Sequence, residues 1–407
     1  MRGTHVLISG ASIAGPALAF WLHRFGAQVT VVERAPGLRP GGQAVDIRGV
    51  AREAVKLMGL DQQVRAALTE TGGLSFVDRH NRTQATLRAD QFDGDGPIAE
   101  YEILRGDLSQ VLYDATKDDT EYVFGDRITA LDEQPDGVHV SFEKGAPRVF
   151  DVVIGADGLH SGVRALLFGE ESQYLRHLGS YLAFWTADNH LGLESWAVGY
   201  AEPGRMVGAR TIHGNTETMA YFTFNSEQLD YDYRDVEAQK ALVREHAAGM
   251  AWETGHLVAQ IDGSPDFFFD SSSQVVLESW SRGRVGLFGD AAFCASPTSG
   301  QGTSLALVGA YVLAGELAAA AGDHAAGLAA YERRLRDWVL LTQEFGRANA
   351  KNNRPRSTLG IRLRTLVIRL LPYLPGKGLL TARYSKVTNG FELPDYSRLL
   401  TASGPAV

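Results

Sequence analysis

Glycines and an acid at the ends of predicted strands give the first sign of chemistry in this sequence. Residues 5–35, HVLISGASIAGPALAFWLHRFGAQVTVVERA, predict a strand, a tight turn, a helix and a second strand. The turn has the spacing G-x-S-x-x-G, with Gly10, Ser12 and Gly15 at the marked positions. The dinucleotide fingerprint has glycine where this chain has Ser12, and serine is small enough to let a pyrophosphate approach the backbone. The spacing therefore predicts a phosphate site at the start of the helix.

Glu33 ends the second strand, 23 residues after Gly10. An acid at this interval accepts hydrogen bonds from the hydroxyls of a ribose and repels a 2′-phosphate, which disfavours NADP at this site. The motif alone does not distinguish FAD from NAD. The predicted nucleotide site comprises Gly10, Ser12, Ile13, Ala14, Gly15, Glu33 and Arg34.

Two later segments repeat the combination of a buried strand, glycines and an aspartate. DVVIGADGLHSGVR, residues 151–164, places Asp157 after a strand; the alternative role for Asp157 is to cap the next helix, with Arg164 as its ion-pair partner. VGLFGDAAFCASPTSGQGTS, residues 285–304, places Asp290 after a strand and ends in glycines before a long apolar helix.

Together these segments resemble the class A FAD-dependent monooxygenases typified by p-hydroxybenzoate hydroxylase, and most closely the branch of aromatic-polyketide hydroxylases and tetracycline-inactivating enzymes. The resemblance implies tightly bound, non-covalent FAD, with Asp290 on the ribityl chain and Pro297 near the flavin C4a position. It places the helix start, Gly300, Gly302 and Ser304, beside the pyrimidine end of the flavin. Family members commonly have histidine and asparagine where this chain has Phe293 and Ser304.

The same resemblance implies further site residues in the first half of the chain. Arg105 matches an arginine that contacts FAD at the start of a helix, and Arg48 matches a residue near the ribityl chain and flavin. Asp46 and Asp157 lie on the side where the reductant arrives. No second fingerprint exists for a nicotinamide, which suits transient binding of NADPH or NADH.

The resemblance also implies the reaction. NAD(P)H reduces the flavin, O2 then forms a C4a-hydroperoxyflavin, and one oxygen atom is transferred to an aromatic or polycyclic small molecule, including the polyketide or antibiotic type. No catalytic side chain is assigned, because the oxygen chemistry belongs to the cofactor. Three alternatives stay open: a Baeyer–Villiger oxygenase, a flavin dehydrogenase, and a FAD-binding protein without turnover.

Substrate contacts are expected from the aromatic, β-prone segments between residues 176 and 280. Aromatic alternation in a sheet builds a core more often than a pocket, so we expect only some of the candidates to contact a ligand. The candidates are Phe184, Trp185, Arg210, His213, Tyr221, Phe222, Phe224 and Phe268.

The elements that must position these residues predict an α/β fold: a FAD-binding Rossmann-like domain of the glutathione-reductase type, an inserted β-sheet-based substrate domain and C-terminal helices. We assign residues 1–72, 101–175 and 281–350 to the FAD-binding domain and 73–100 to an excursion into the substrate lobe. Residues 176–280 form the substrate domain and 351–407 the C-terminal helical segment. Composition predicts one alanine-rich helix over 314–330 and a helix packed on the protein body within 361–380.

Bulk composition excludes several classes of protein. The chain has 407 residues, with 39 basic and 48 acidic residues and a net charge of −9, which argues against nucleic acid as a partner. Its single cysteine, Cys294, fits a reducing compartment, and we expect a cytoplasmic monomer or homodimer. No apolar run approaches the ~20 residues of a membrane span. Histidine spacings typical of a metal site are missing, so no metal is expected.

Overall fold

The first segment of the chain folds as the βαβ unit that its sequence predicts. The computed structural model describes residues 1–39, 41–91, 98–352, 355–371 and 377–400, apart from the side chains of residues 352 and 377–381. Gly26, at φ +90°, terminates the first helix as expected. The elements of this segment are β1 (His5–Ser9), α1 (Ala14–Arg24), β2 (Gln28–Glu33), β3 (Ala44–Asp46), α2 (Val50–Met58) and α3 (Asp61–Ala66).

The remaining elements follow in three groups. Between residues 73 and 168 lie β4 (Gly73–Val77), β5 (Thr83–Arg88), β6 (Glu102–Leu104), α4 (Arg105–Asp114), β7 (Glu121–Phe124), β8 (Ile128–Gln134), β9 (Gly137–Phe142), β10 (Arg148–Phe150), β11 (Val152–Gly155) and α5 (Gly162–Phe168). The middle of the chain forms β12 (Leu175–Asp188), β13 (Trp196–Glu202), β14 (Arg205–Ile212), β15 (Glu217–Asn225), α6 (Val236–Ala247), α7 (Thr254–Ala259) and β16 (Phe268–Val275). The last group is β17 (Ser281–Arg282), β18 (Val285–Leu287), α8 (Asp290–Phe293), α9 (Gly302–Ala319), α10 (His324–Asn352), α11 (Thr358–Leu370) and α12 (Lys377–Thr388).

A six-stranded sheet draws its strands from three distant parts of the chain. Its order is β17-β18-β11-β1-β2-β7, and every pair except β17–β18 is parallel. β1 is central, and its residues Val6, Leu7 and Ile8 are fully buried. Because the strands are parallel, the loops that follow β1, β2, β11 and β18 emerge at the same edge of the sheet. The predicted fold class is confirmed, whereas the domain boundaries stay a prediction.

A second sheet of seven strands has the order β16-β12-β15-β14-β13-β4-β5. All its pairs are antiparallel except β13–β4. One face packs under α6 and α7, with Trp185, Phe222 and Leu257 in its core. The opposite face packs against the first sheet's domain, because Phe184 and Met219 cluster with Leu104 of β6. The strands β8–β10 form a separate three-stranded sheet, and β3 pairs with β6.

The alanine-rich region is two helices, so the prediction of one helix over 314–330 is wrong. α9 ends at Ala319 and α10 begins at His324. Ala321 and Gly322 have φ of +48° and +102°, which no helix interior accommodates, and the Asp323 carboxylate accepts the Ala326 N–H at 3.0 Å. The Gly-Asp pair inside the alanines was the signal for this break.

α9 is the one helix of the described ranges that is long and apolar enough to cross a membrane. Of this apolar stretch, Gly302–Ala319, 83% is buried inside the protein. It contacts α1, α2 and α10, which is typical of a core helix.

Candidate active site

The turn after β1 has the geometry that a phosphate cradle requires. Gly10 has φ +110°, and a Cβ there would lie 2.5 Å from the Ala156 carbonyl oxygen. A Cβ on Gly15 would lie 1.9 Å from the Gly10 carbonyl oxygen. Both positions therefore require glycine, because β1, β11 and α1 pack closely there, and the N-terminus of α1 is a candidate anion site.

Glu33 lies beside this turn at the end of β2. The Ala11 N–H donates to Glu33 Oε2 and the Ala35 N–H donates to Oε1, each at 2.9 Å. These bonds fix the carboxylate and leave lone pairs on both oxygens for further donors. Its neighbour Arg34 is exposed.

Arg105 connects the turn to the β3–β6 layer. Its Nη1 donates to Ser12 Oγ at 2.9 Å, so the guanidinium lies at the fingerprint turn. Gly42, at φ +91°, leaves room for the Arg105 guanidinium, because a Cβ on this residue would lie only 2.8 Å from Arg105 Nε. Burial lowers the pKa of Arg105, as does the nearby Arg39, but the group remains a cation at neutral pH. It places a positive charge where a pyrophosphate is expected.

The segment after β18 presents exposed residues between fully buried ones. Asp290, Pro297 and Gly300 are exposed, whereas Ala291 and Ala292 are completely buried. Surrounding protein also desolvates the Asp290 carboxyl and raises its pKa. Asp290 is thus surrounded by protein and yet accessible, and its carboxylate is an acceptor for ligand hydroxyls. Gly302 is likewise exposed, at the N-terminus of α9.

Ser161 is the N-cap residue of α5, and Asp157 supports the start of this helix from the preceding turn. Its carboxylate accepts the Ser161 hydroxyl at 2.5 Å and the Val163 N–H at 3.1 Å. The ion pair expected between Asp157 and Arg164 does not form, because Arg164 pairs with Glu171 at 2.8 Å. Arg164 Nη1 also donates to the Ala291 carbonyl at 3.0 Å, which ties α5 to the segment that carries Asp290.

Asp46, Glu102 and Arg210 connect the glycine loop before α9 to the second sheet. A Cβ on Gly300 would lie 3.7 Å from Asp46 Oδ2. Asp46 pairs in register with Glu102 across β3 and β6, and Glu102 forms an ion pair with Arg210 of β14. Asp46 Oδ2 accepts Arg48 Nε at 3.0 Å and Nη2 at 2.9 Å, and the Arg48 N–H donates to Ser304 Oγ at 3.3 Å.

The two carboxyls have opposite pKa directions. Burial raises the pKa of Asp46 and outweighs the opposing effect of the Arg48 cation, and the neighbouring Glu102 also raises it. Burial also acts to raise the pKa of Glu102, but Arg210 and hydrogen bonds from Thr69 and Thr71 outweigh it and hold that pKa below its usual range. Glu102 is therefore the stronger acid of the pair and Asp46 the weaker one.

Strand parity divides the substrate candidates between the two faces of the second sheet. One face is the one toward β3 and β6, because Phe184 and Met219 cluster there with Leu104 of β6. Residues opposite each other in register share a face, and Phe184 is opposite Phe268 whereas Arg210 is opposite Met219. The candidates on this face or its continuation are Phe184, Arg210, Tyr221 and Phe268. Trp185, Phe222 and Phe224 were wrong as pocket residues: they are 0%, 0% and 3% exposed in the core under α6 and α7. His213 is exposed in the turn between β14 and β15 and bonds Glu217 at 2.8 Å.

Two charged residues of this region were missed from the sequence. Glu102 begins the buried strand β6, three residues before Arg105, and an acid in such a strand was the available signal. His160 accepts or donates hydrogen bonds with Glu171 at 2.8 Å and Asp270 at 3.3 Å, and stacks on Tyr233 at 4.0 Å. Nothing in the linear spacing brings these four residues together.

Asp188, His190 and His256 also come together in space, with ligand-capable atoms all within 4.8 Å of one another. The sequence spacing gave no sign of this group, because His256 lies on α7, whereas Asp188 ends β12 and His190 follows it. All three residues are exposed, and none belongs to the second sheet's core.

Comparison with known families and proteins gives consistent matches over most of the chain. A family profile described as FAD binding domain matches residues 3–342. An uncharacterised protein of Mycobacterium tuberculosis is 45% identical over 340 residues, covering 83% of this chain and 91% of that protein. A flavin-dependent monooxygenase of Legionella longbeachae is 37% identical over 345 residues, covering 85% of this chain and 88% of that protein.

Solved structures match over nearly the whole chain. The tetracycline destructase Tet(51) superposes with a TM-score of 0.84 and 33% identity, covering 97% of this chain and 99% of that one. HpxO of Klebsiella pneumoniae, solved with FAD and uric acid, has a TM-score of 0.74 at 20% identity, covering 96% and 98%. The second likeness is one of fold alone.

Proposed function

This chain belongs to the FAD binding domain family and is an FAD-dependent monooxygenase, and from that premise we propose that it uses NAD(P)H and O2 to hydroxylate an aromatic or polycyclic small molecule of the polyketide or antibiotic type. The observation that carries the proposal is the continuous path from Gly300 through Asp46 and Glu102 to Arg210. It supports the proposal because it runs from the predicted cofactor loop to the face of the second sheet that carries Arg210.

The residues of the first sheet fit FAD. Glu33 would accept the adenosine ribose hydroxyls, the turn Gly10–Gly15 with Ile13 and Ala14 and the Arg105 cation would hold the pyrophosphate, and Asp290 would accept the ribityl hydroxyls. Pro297, Gly300, Gly302 and Ser304 would border the flavin ring, where the α9 N-terminus favours negative charge. When bound, FAD supplies the electron transfer and the activation of oxygen, which side chains cannot perform.

The face of the second sheet toward β3 and β6 would hold the substrate. Tyr221 and Phe268 offer flat apolar surface for a ring system. Arg210 Nη2 donates to Glu102 and Thr71, whereas its buried Nε has no hydrogen-bond partner among the described residues. That unused donor can bind a phenolate, enolate or carbonyl oxygen of the substrate.

Asp46 is the group we propose as the base for a phenol or enol. Its Oδ2 is occupied by Arg48, whereas its Oδ1 has no hydrogen-bond partner in the described part of the chain. The substrate O–H proton would move to Oδ1, and Arg48 and Arg210 would stabilise the oxyanion left behind. We also propose that Asp46 and Asp157 border the approach of the nicotinamide.

The proposal is tested by following NAD(P)H oxidation and product mass under 18O2 with a panel of phenols and polycyclic aromatics, tetracycline included. We expect substrate-stimulated NAD(P)H oxidation and a product heavier by one 18O atom. NAD(P)H oxidation that yields peroxide alone with every compound would contradict it. An oxidised product without 18O would favour the dehydrogenase alternative, and an inserted ring oxygen on a ketone would favour the Baeyer–Villiger one.

A further inference from the structure

Helix α11 has two apolar faces, although only one of them packs on the protein. On its inner face, the Arg364 guanidinium lies 5.3 Å from the centre of the Phe76 ring. Ile368 of the same face packs in a cluster with Leu87 and Ile98. The helix thus covers β5 and also contacts β13, which lies on the other side of β4 in the substrate sheet.

The outer face of α11 is a stripe of large apolar side chains in solvent. Positions i, i+4, i+7, i+8 and i+11 of a helix fall on one side, and here each is leucine or valine. Five of the twelve exposed large apolar side chains in the described residues belong to this one helix. They are Leu359 (75% exposed), Leu363 (60%), Leu366 (51%), Val367 (49%) and Leu370 (44%).

The charged residues of α11 itself are all arginines. Arg362 and Arg369 are exposed along one border of the stripe. From Phe345 to Phe391 the sequence contains ten lysines and arginines and no aspartate or glutamate, in a chain whose net charge is −9. Such segregation makes this surface attractive to an anionic partner and repulsive to a basic one.

We propose that the outer face of α11 docks the enzyme on an anionic lipid bilayer. Contiguous exposed leucines bordered by arginines are the composition of a helix that lies in the membrane interface, with its apolar side chains among the acyl chains and its cations at lipid phosphates. The charge favours this occupant over a second copy of the chain, because two such basic helices repel each other. The inner face of the same helix covers the substrate sheet, so docking holds the substrate lobe at the lipid surface.

Flotation of the FAD-loaded full chain with vesicles tests the proposal. We expect binding to vesicles of phosphatidylglycerol mixed with phosphatidylcholine, little binding to phosphatidylcholine alone, and weakening by salt. Leu363→Glu combined with Leu366→Glu lowers binding at least about tenfold, because it removes apolar surface that the bilayer would otherwise bury. Arg362→Gln combined with Arg369→Gln lowers it about twentyfold on the anionic vesicles.

Matched changes on another helix provide the controls. Leu340 of α10 is 47% exposed, so Leu340→Glu replaces an exposed leucine by glutamate outside α11. Arg333 of α10 is also exposed, so Arg333→Gln removes an arginine charge outside α11. Both controls are expected to bind as the unmodified chain does. Equal binding of all variants, or no binding to anionic vesicles, would overturn the proposal. So would a chain that is dimeric in solution and becomes monomeric on Leu363→Glu with Leu366→Glu, since the face would then be an interface between copies. Absorbance of bound FAD verifies that each variant is folded.

Discussion

At the scale of single residues, neighbouring charges decide which carboxyl in the cleft exchanges a proton. Asp46 and Glu102 face each other across two short strands, yet Arg210 and two threonines stabilise the charge of Glu102 while burial disfavours that of Asp46. Sequence indicated Asp46 through family resemblance but not Glu102, because the partner of Glu102 is Arg210, more than a hundred residues away. An ion pair between distant strands leaves no local pattern.

Asp46→Asn is expected to lower kcat for a phenolic substrate about 100-fold, because the amide keeps the size of the side chain but cannot accept the proton. FAD content should stay unchanged. In the unmodified enzyme kcat rises with pH as Asp46 ionises, at a pKa above its ordinary value, and that rise should vanish in the variant. The exposed Asp90→Asn serves as control. An unaltered pH profile in Asp46→Asn would exclude it as the base.

Glu33→Gln should weaken FAD binding about tenfold, because it removes the charge from an acceptor of ribose hydroxyls. The amide oxygen can still accept one backbone N–H, so the turn around Ala11 stays formed. Quenching of FAD fluorescence on titration with the apoprotein measures the change, with the exposed Glu143→Gln for comparison. If Glu33→Gln and Glu143→Gln bound FAD with equal affinity, Glu33 would not be a ligand of the ribose.

At the scale of elements, the sequence predicted the strands but not the faces they present. Alternation along a strand puts neighbours such as Trp185 and Phe184 on opposite faces, although both were pocket candidates. It could not say which face α6 and α7 would cover, because that depends on helices later in the chain. Trp185, Phe222 and Phe224 were therefore assigned to the pocket although they form the core.

Gly15→Ala tests the packing of α1 against β1. The new Cβ would lie 1.9 Å from the Gly10 carbonyl oxygen, so the helix must move away from the strand and the phosphate cradle must open. We expect a loss of about 2–3 kcal/mol in the free energy of unfolding and weaker FAD binding. Gly37→Ala is the control, because its Cβ would meet nothing within 4 Å. Unchanged stability and FAD affinity in Gly15→Ala would contradict the assigned geometry.

His160 connects the two sheets through a charge that depends on pH. Burial acts to lower its pKa, but hydrogen bonds to Asp270 and Glu171 raise it to about 9. The folded state thus binds the proton more tightly than the unfolded chain, whose histidine titrates near pH 6.5. The stabilisation, at most about 3 kcal/mol, is complete below about pH 6.5 and is lost as the pH rises through about 9.

Thermal unfolding from about pH 6 to about pH 9.5 should therefore show a falling melting temperature for the unmodified chain and a flatter profile for His160→Gln. The same change at the exposed His139 should keep the original slope. Parallel profiles for the unmodified chain and His160→Gln would exclude a charged His160 in the folded protein.

At the scale of the whole molecule, three distant segments meet at one edge of one sheet. The sequence predicted this meeting because each segment carries a strand, a glycine turn and an acid, and parallel strands bring such turns together. The path from the turns to the second sheet could not be predicted, since it depends on the pairing of β3 with β6 and on the docking of β14. The family resemblance predicted FAD, whereas the residues between the FAD loops and the second sheet became known only from the structure.

The most direct test of the assembled FAD site is the cofactor content of Asp290→Ala. Asp290 is far in sequence from the fingerprint turn, so its effect on FAD depends on the whole fold being as described. The unmodified chain and the exposed Asp132→Ala control should purify yellow, with about one FAD per chain by absorbance. Asp290→Ala should purify largely colourless while retaining its circular dichroism. Full FAD occupancy in folded Asp290→Ala would contradict the account.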